Sequence, residues 1–123
     1  MKLRNFDLEE FRCNCGECDG YPPKGMSEVL LTKLDELRDL VGYPIYVTSG
    51  YRCPVWNSKN SGVENSQHVM GTAADIYCNY VSAEDLAELA AQVGFDGIGL
   101  YIEDGFVHVD VRDNGDNPNY YRW

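Results

Sequence analysis

Two stretches of this chain carry complete helix signatures, each opened by a serine and closed by a glycine, and they decide what the remaining segments must become. In the first, Ser27 precedes Leu30, Leu34, Leu37 and Val41, which recur at the i, i+4, i+7, i+11 spacing of one helical face, and Gly42 ends the run. Lys33, Asp35, Glu36 and Arg38 fall off that stripe. In the second, Ser82 and Asp85 open a stripe of Leu86, Leu89, Ala90 and Val93 that stops at Gly94. A helix with one apolar side has to lay that side against another layer. The segments on offer are strands: Ile45–Ser49 after Pro44, Thr72–Cys78, Gly97–Ile102 and Phe106–Arg112 are rich in β-branched and aromatic residues. Glu103-Asp104-Gly105 joins the last two as a tight hairpin. The expectation is an α+β domain, a small and mainly antiparallel sheet with helices packed on one side.

The 123 residues fit a single domain over 1–123, a size at which about two-thirds of the unfolded surface is buried. Hydrophobic residues at 44% and charged residues at 24% are globular proportions. Asp7 with Glu10 predicts a short helix over 8–12, anchored by Phe6, Leu8 and Phe11. Asn14–Gly25, which contains Pro22 and Pro23, reads as loop. Residues 50–67 are long and turn-rich, the kind of loop that is functional or mobile. The polar tail Asp113–Trp123 ends in Tyr120, Tyr121 and Trp123, which are expected to fold back onto the body.

A net charge of -10 and a pI near 4.4 argue against nucleic acid or an anionic membrane as partner, because the electrostatic term would be repulsive. The apolar stretches are only a few residues long, so no membrane insertion is expected. The opening MKLRNFDLEEF has charges without an apolar run behind them, and no signal peptide is read there. The chain is therefore expected in the cytoplasm until released, as a phage-encoded or virion-associated protein would be, or as a piece of a longer secreted protein. A monomer is expected.

Five cysteines, Cys13, Cys15, Cys18, Cys53 and Cys78, are an odd number without an export signal, which argues against a complete disulfide framework. The run C-x-C-x-x-C at 13–18 has the look of half a zinc site, with Cys53 or Cys78 as a fourth thiolate. Packed reduced thiols, or one local disulfide, account for the same spacing.

The chain has two histidines, His68 and His108. Asp75 follows the first in the string Ser66-Gln67-His68-Val69-Met70-Gly71-Thr72-Ala73-Ala74-Asp75, and the second stands in Phe106-Val107-His108-Val109-Asp110. Two histidines and one carboxylate suffice for a catalytic zinc ion, which keeps a further position for water. Such an ion lowers the pKa of water to about 7 and polarises a carbonyl, the chemistry of amide hydrolysis. Read from spacing alone, the same residues serve equally as core or surface histidines and a turn-capping aspartate, since no H-E-x-x-H pattern is present.

The string S-x-H-x-x-G-x-A-x-D at 66–75 resembles the signature of the M15 family of zinc D-Ala-D-Ala peptidases, which share a fold with the hedgehog signalling domain. Thr48-Ser49-Gly50-Tyr51-Arg52-Cys53-Pro54 is similar to that family's S-G-[YF]-R strand end. Gly97-Ile98-Gly99-Leu100-Tyr101 and Phe106–Asp110 are similar to its closing hairpin. Phe11-Arg12-Cys13-Asn14-Cys15-Gly16 and Arg122-Trp123 resemble the ends of a small phage and prophage subgroup. These matches run in order over nearly the whole chain.

The resemblance implies that His68, Asp75 and His108 ligate zinc, and that the substrate is a peptide of bacterial peptidoglycan. It implies that Arg52 binds substrate through a terminal carboxylate or the scissile carbonyl, a task suited to a guanidinium fork. Ser66 is a candidate substrate-binding or ligand-supporting hydroxyl. Relatives place a Glu or Asp three residues before the last ligand, or a His two before it, where this chain has Gly105 and Phe106. Asp110 and the turn carboxylates Glu103 and Asp104 remain as candidates for general base. Asp110, two residues beyond His108 and on the same strand face, is the first choice, with orientation of a ligand as its other role. Glu103, in the turn before the strand, is the second. An alternative is a non-catalytic zinc module of hedgehog-like fold that recognises peptidoglycan or a protein partner.

Overall fold

The computed structural model describes residues 5–15, 18, 20–22, 25–54, 67–112, 121 and 122. Both serine-to-glycine segments are helices with the expected caps. Helix α1 covers Glu28–Val41, and the Leu30 amide donates to the Ser27 hydroxyl at 3.3 Å. Helix α2 covers Ala83–Val93, and the Asp85 amide donates to the Ser82 hydroxyl at 3.1 Å. Each hydroxyl satisfies one of the amides that a helix start leaves without an intrahelical acceptor.

The strands are β1 (Tyr46–Ser49), β2 (Ala73–Tyr77), β3 (Gly97–Tyr101), β4 (Phe106–Asp110) and β5 (Tyr121–Arg122). They form one sheet in the order β1-β2-β4-β3-β5, antiparallel at every junction except the parallel β3–β5 pair. The architecture is the expected small α+β fold. Along β4 the fully buried Val107 and Val109 alternate with His108 and Asp110. A strand sends successive side chains to opposite faces. Helix α2 packs on β3 and β4, and α1 packs on α2, so the valine face belongs to the helices. Leu30, Leu34, Leu37, Leu86, Ala90, Ile76 and Ile98 complete that core. Each buried large aliphatic there is worth about 1.5–3 kcal/mol. The opposite face is left for His108 and Asp110.

One local expectation changes, and the tail and β1 gain detail. The segment read as a helix over 8–12 is a single 3-10 turn, Leu8–Phe11, held by the Asp7 amide donating to Glu10 Oε2 at 2.8 Å. Arg12 is already extended, and the Cys13 amide donates to the Gly20 carbonyl at 2.8 Å, which stops the helix from continuing. The tail does return to the body, as backbone: β5 lines up with Gly97 and Ile98, and Arg122 Nη1 donates to the Asp96 carbonyl at 2.9 Å. Tyr120 and Trp123, expected to contribute, lie outside the described residues. In β1 the register shifts between Val47 and Ser49, which sets Ser49 opposite Asp75 and leaves Thr48 donating its hydroxyl to the Asp75 carbonyl at 3.2 Å.

Candidate metal centre

Three strands and one turn build the centre. Asp75 on β2 and His108 on β4 are directly paired residues, so their side chains rise side by side on the face away from the helices. His68 comes from the turn before β2, whose Gly71 amide donates to the His68 carbonyl at 3.3 Å. Arg52 lies just past β1, where its amide donates to the His68 carbonyl at 3.2 Å.

The donor atoms converge. His108 Nδ1 lies 3.1 Å from Asp75 Oδ1, and His68 Nε2 lies 3.3 Å from the same oxygen. A tetrahedral ion with bonds of about 2.0–2.1 Å to nitrogen and oxygen has ligand–ligand edges of roughly 3.3–3.4 Å. The set therefore has the size of one zinc ion. All three residues are buried, with relative exposures of 3% for His68, 6% for Asp75 and 8% for His108.

Each imidazole is pinned by its other nitrogen. His68 Nδ1 donates to the Gly50 carbonyl at 2.8 Å, which leaves the Nε2 lone pair facing Asp75. His108 Nε2 donates to Asp110 Oδ2 at 2.7 Å, which leaves Nδ1 facing Asp75. Both rings thus hold the tautomer a metal requires, fixed by acceptors on their far sides. Gly50 can bring its carbonyl there only because it has no side chain, as a Cβ would stand 2.6 Å from the Phe11 Cα.

Asp110 is fully buried and tied down twice. Arg112 donates to it from Nε at 2.9 Å and from Nη2 at 2.6 Å, a bidentate fork, with its backbone amide adding a bond at 3.2 Å. Gly97 covers the carboxylate from β3, where a Cβ would lie 2.6 Å from the Asp110 Cγ. Burial works to raise the Asp110 pKa, but Arg112 and His108 outweigh it and hold the carboxyl well below the usual carboxylate range. Burial also works to raise Asp75, and the two histidines likewise outweigh it and hold it low. For His108, burial pushes the imidazole down, while the bonds to Asp110 and Asp75 overcome that and raise it.

Asp110, the first choice of general base, stands behind His108. Its oxygens face Arg112 and the far nitrogen of His108, on the side of the ring away from Asp75 and His68. That is the position of a carboxylate that orients a ligand. Glu103 is exposed in the turn 102–105, beyond the Tyr101–Phe106 pair. Arg52 Nη2 contacts Asp75 Oδ2 at 3.3 Å and its Nε donates to the Ser49 hydroxyl at 3.1 Å, so the guanidinium borders the centre. Ser66 lies outside the described residues. Sequence reasoning missed Arg112, Ser49 and the Gly50 carbonyl. The spacing Asp110-x-Arg112 on a strand, which puts both on one face, was the available signal for the first.

The cysteines fall into two groups. Cys13, Cys15, Cys18 and Cys53 bring their sulfurs within 4.8 Å of one another, whereas Cys78 packs against the core. None of the five is in a disulfide. The Gly20 amide favours the Cys18 thiolate, but hydrogen bonding with Cys15, burial and the neighbouring Cys13 outweigh it and push the thiol up to about 12.

A buried mononuclear set of two histidines and one aspartate, on the open face of a helix-backed antiparallel sheet, is the kind of centre that metal-dependent hydrolases use. The family model of peptidase M15 matches residues 4–110, and the chain belongs to that family. It is 33% identical over 100 residues to the zinc D-Ala-D-Ala carboxypeptidase of Streptomyces albus G, a match covering 76% of this chain and 39% of that protein. It is 29% identical over 95 residues to the peptidoglycan L,D-endopeptidase MepK of Shigella flexneri, covering 72% of this chain and 52% of that protein. The chain thus spans little more than half, or less, of the curated relatives it matches.

Proposed function

We propose that this chain is a zinc-dependent peptidase that hydrolyses peptide bonds in bacterial peptidoglycan, with a bond of the D-Ala-D-Ala type as its substrate. The observation that carries the reading is the convergence of His68 Nε2, His108 Nδ1 and Asp75, with both rings locked from behind. The names of the two relatives support the substrate class. One names a D-Ala-D-Ala bond and the other names peptidoglycan and an L,D bond.

In this reading His68, Asp75 and His108 would hold the zinc ion, whose chemistry when bound would be Lewis acidity. Asp75 faces the two rings through Oδ1 while Arg52 contacts Oδ2, so the arginine holds the carboxylate in place. The same guanidinium borders the centre and presents its donors to the substrate's terminal carboxylate or scissile carbonyl. Asp110 positions His108 and takes no part in proton transfer. Glu103, exposed in the turn between β3 and β4, is then the carboxylate that would take a proton from the attacking water and return it to the leaving amine.

Digestion of purified muropeptides, crosslinked and uncrosslinked, followed by mass spectrometry tests the reading. Product from the native chain, and none from His68→Ala or after chelation, is the expected result. A zinc-loaded native chain that yields no product from any muropeptide overturns the peptidase reading and leaves a zinc-containing peptidoglycan-binding module. Cleavage confined to an L,D bond overturns the D-Ala-D-Ala assignment alone.

A further inference from the structure

We propose that Cys13, Cys15, Cys18 and Cys53 bind a second zinc ion, a structural one, which clamps the N-terminal loop to residues 50–53 and so holds the parts that orient the first centre. The cluster has the dimensions of a single-ion site. Cys53 Sγ and Cys15 Sγ are 3.8 Å apart. A zinc–sulfur bond of about 2.3 Å gives a tetrahedron whose edge is about 3.8 Å. A disulfide would need about 2.05 Å, so this pair is spaced for an ion between the sulfurs. All four sulfurs lie within 4.8 Å of one another, which leaves room for one ion and not for a multinuclear cluster.

The backbone around the cluster is arranged for thiolates. The Cys53 amide points at Cys13 Sγ at 3.4 Å, and the Gly20 amide points at Cys18 Sγ at 3.2 Å. Amide donors aimed at sulfur favour the charged form, the form that ligates. The loop that carries three of the cysteines is closed by the Cys13 amide on the Gly20 carbonyl. Four soft sulfur donors select zinc over calcium or magnesium. On binding, each thiol gives its proton to solvent and its sulfur lone pair to the ion, with no change of oxidation state.

The consequence for the first centre lies in four consecutive residues. Gly50 supplies the carbonyl that pins His68, Tyr51 donates its amide to the Phe11 carbonyl at 2.8 Å, Arg52 contacts Asp75, and Cys53 joins the cluster. Fixing Cys53 to the 13–18 loop therefore fixes the strip from which the first centre is supported. This inference stands whether or not the chain cleaves peptidoglycan.

The test uses the full chain, purified under reducing conditions without chelator, and reads metal and thiols instead of activity. The native chain should carry two zinc ions and His68→Ala one. At most one thiol, that of Cys78, should react with a thiol reagent until chelator exposes the remaining four. Replacement of zinc by cobalt should give a strong sulfur-to-cobalt charge-transfer band that persists in His68→Ala and disappears in Cys15→Ser. Cys15→Ser, which leaves residues 50–53 untouched, should also weaken zinc binding at the His-Asp-His centre by about tenfold. One zinc per native chain with all five thiols reactive, a disulfide within the cluster, or iron in place of zinc would overturn the site. Unchanged affinity at the first centre in Cys15→Ser would overturn the clamp. Should Cys15→Ser fail to fold, the native chain's zinc count and thiol protection decide.

Discussion

Asp75 and His108 stand opposite one another as paired residues of β2 and β4, with Asp75 Oδ1 3.1 Å from His108 Nδ1. The register of one strand pair therefore sets the separation of two metal donors. A one-residue slip would turn one of the two side chains into the core.

Removing the carboxylate behind His108 should weaken the metal more than the chemistry. Asp110→Asn is expected to lower zinc affinity by roughly 10–100-fold, measured by competition with a chromophoric chelator. At saturating zinc its rate of muropeptide cleavage should stay within a few-fold of native. A collapse of the rate at full zinc occupancy would restore Asp110 as the proton acceptor.

Glu103→Gln should show the reverse pattern. Zinc content should be unchanged, while kcat falls by about 10²–10⁴-fold, the usual worth of a general base. Wild-type kcat in this variant would remove Glu103 from the mechanism.

The raised pKa of His108 sets a pH dependence with two opposite signs. A proton on Nδ1 competes with the ion, so zinc affinity should fall as pH drops through the raised value. In the metal-free protein the protonated ring is the stabilising form. Its contribution is fully present below the ordinary imidazole value of about 6.5 and is lost as pH rises through the higher folded value. As pH rises above the ordinary imidazole value of about 6.5, chelated protein should lose stability in urea while zinc-loaded protein gains it.

Gly97 is a packing requirement. Gly97→Ala would drive a Cβ into the Asp110 carboxylate, whose Cγ lies 2.6 Å from that position. The expected cost is about 1–3 kcal/mol in chemical denaturation, accompanied by weaker zinc binding because Asp110 must shift from His108.

Features encoded within a few residues were legible in the sequence. Ser27 and Gly42, or Ser82 and Gly94, bracket their helices because capping acts across one turn. The hairpin of β3 and β4 was legible for the same reason. The strand order β1-β2-β4-β3-β5 was not, since β2 meets β4 across a separation of 33 residues between Asp75 and His108. The two roles open to Asp110 could be separated only by seeing Arg112 grip it. The choice between Cys53 and Cys78 as fourth member of the cysteine cluster likewise depended on a contact 38 residues apart.

The strip from Gly50 to Cys53 is exposed to one kind of lesion more than to any substitution. Its side chains divide between two neighbourhoods, Arg52 toward Asp75, and the buried Tyr51 with Cys53 toward the cysteine cluster. Inserting or deleting a single residue between Ser49 and Cys53 would exchange those neighbourhoods, presenting a sulfur to the histidines and an arginine to the thiols. Both centres would fail together, although every ligand would still be present in the chain. Length polymorphism should therefore be tolerated far better elsewhere in the surface loops than across these four positions.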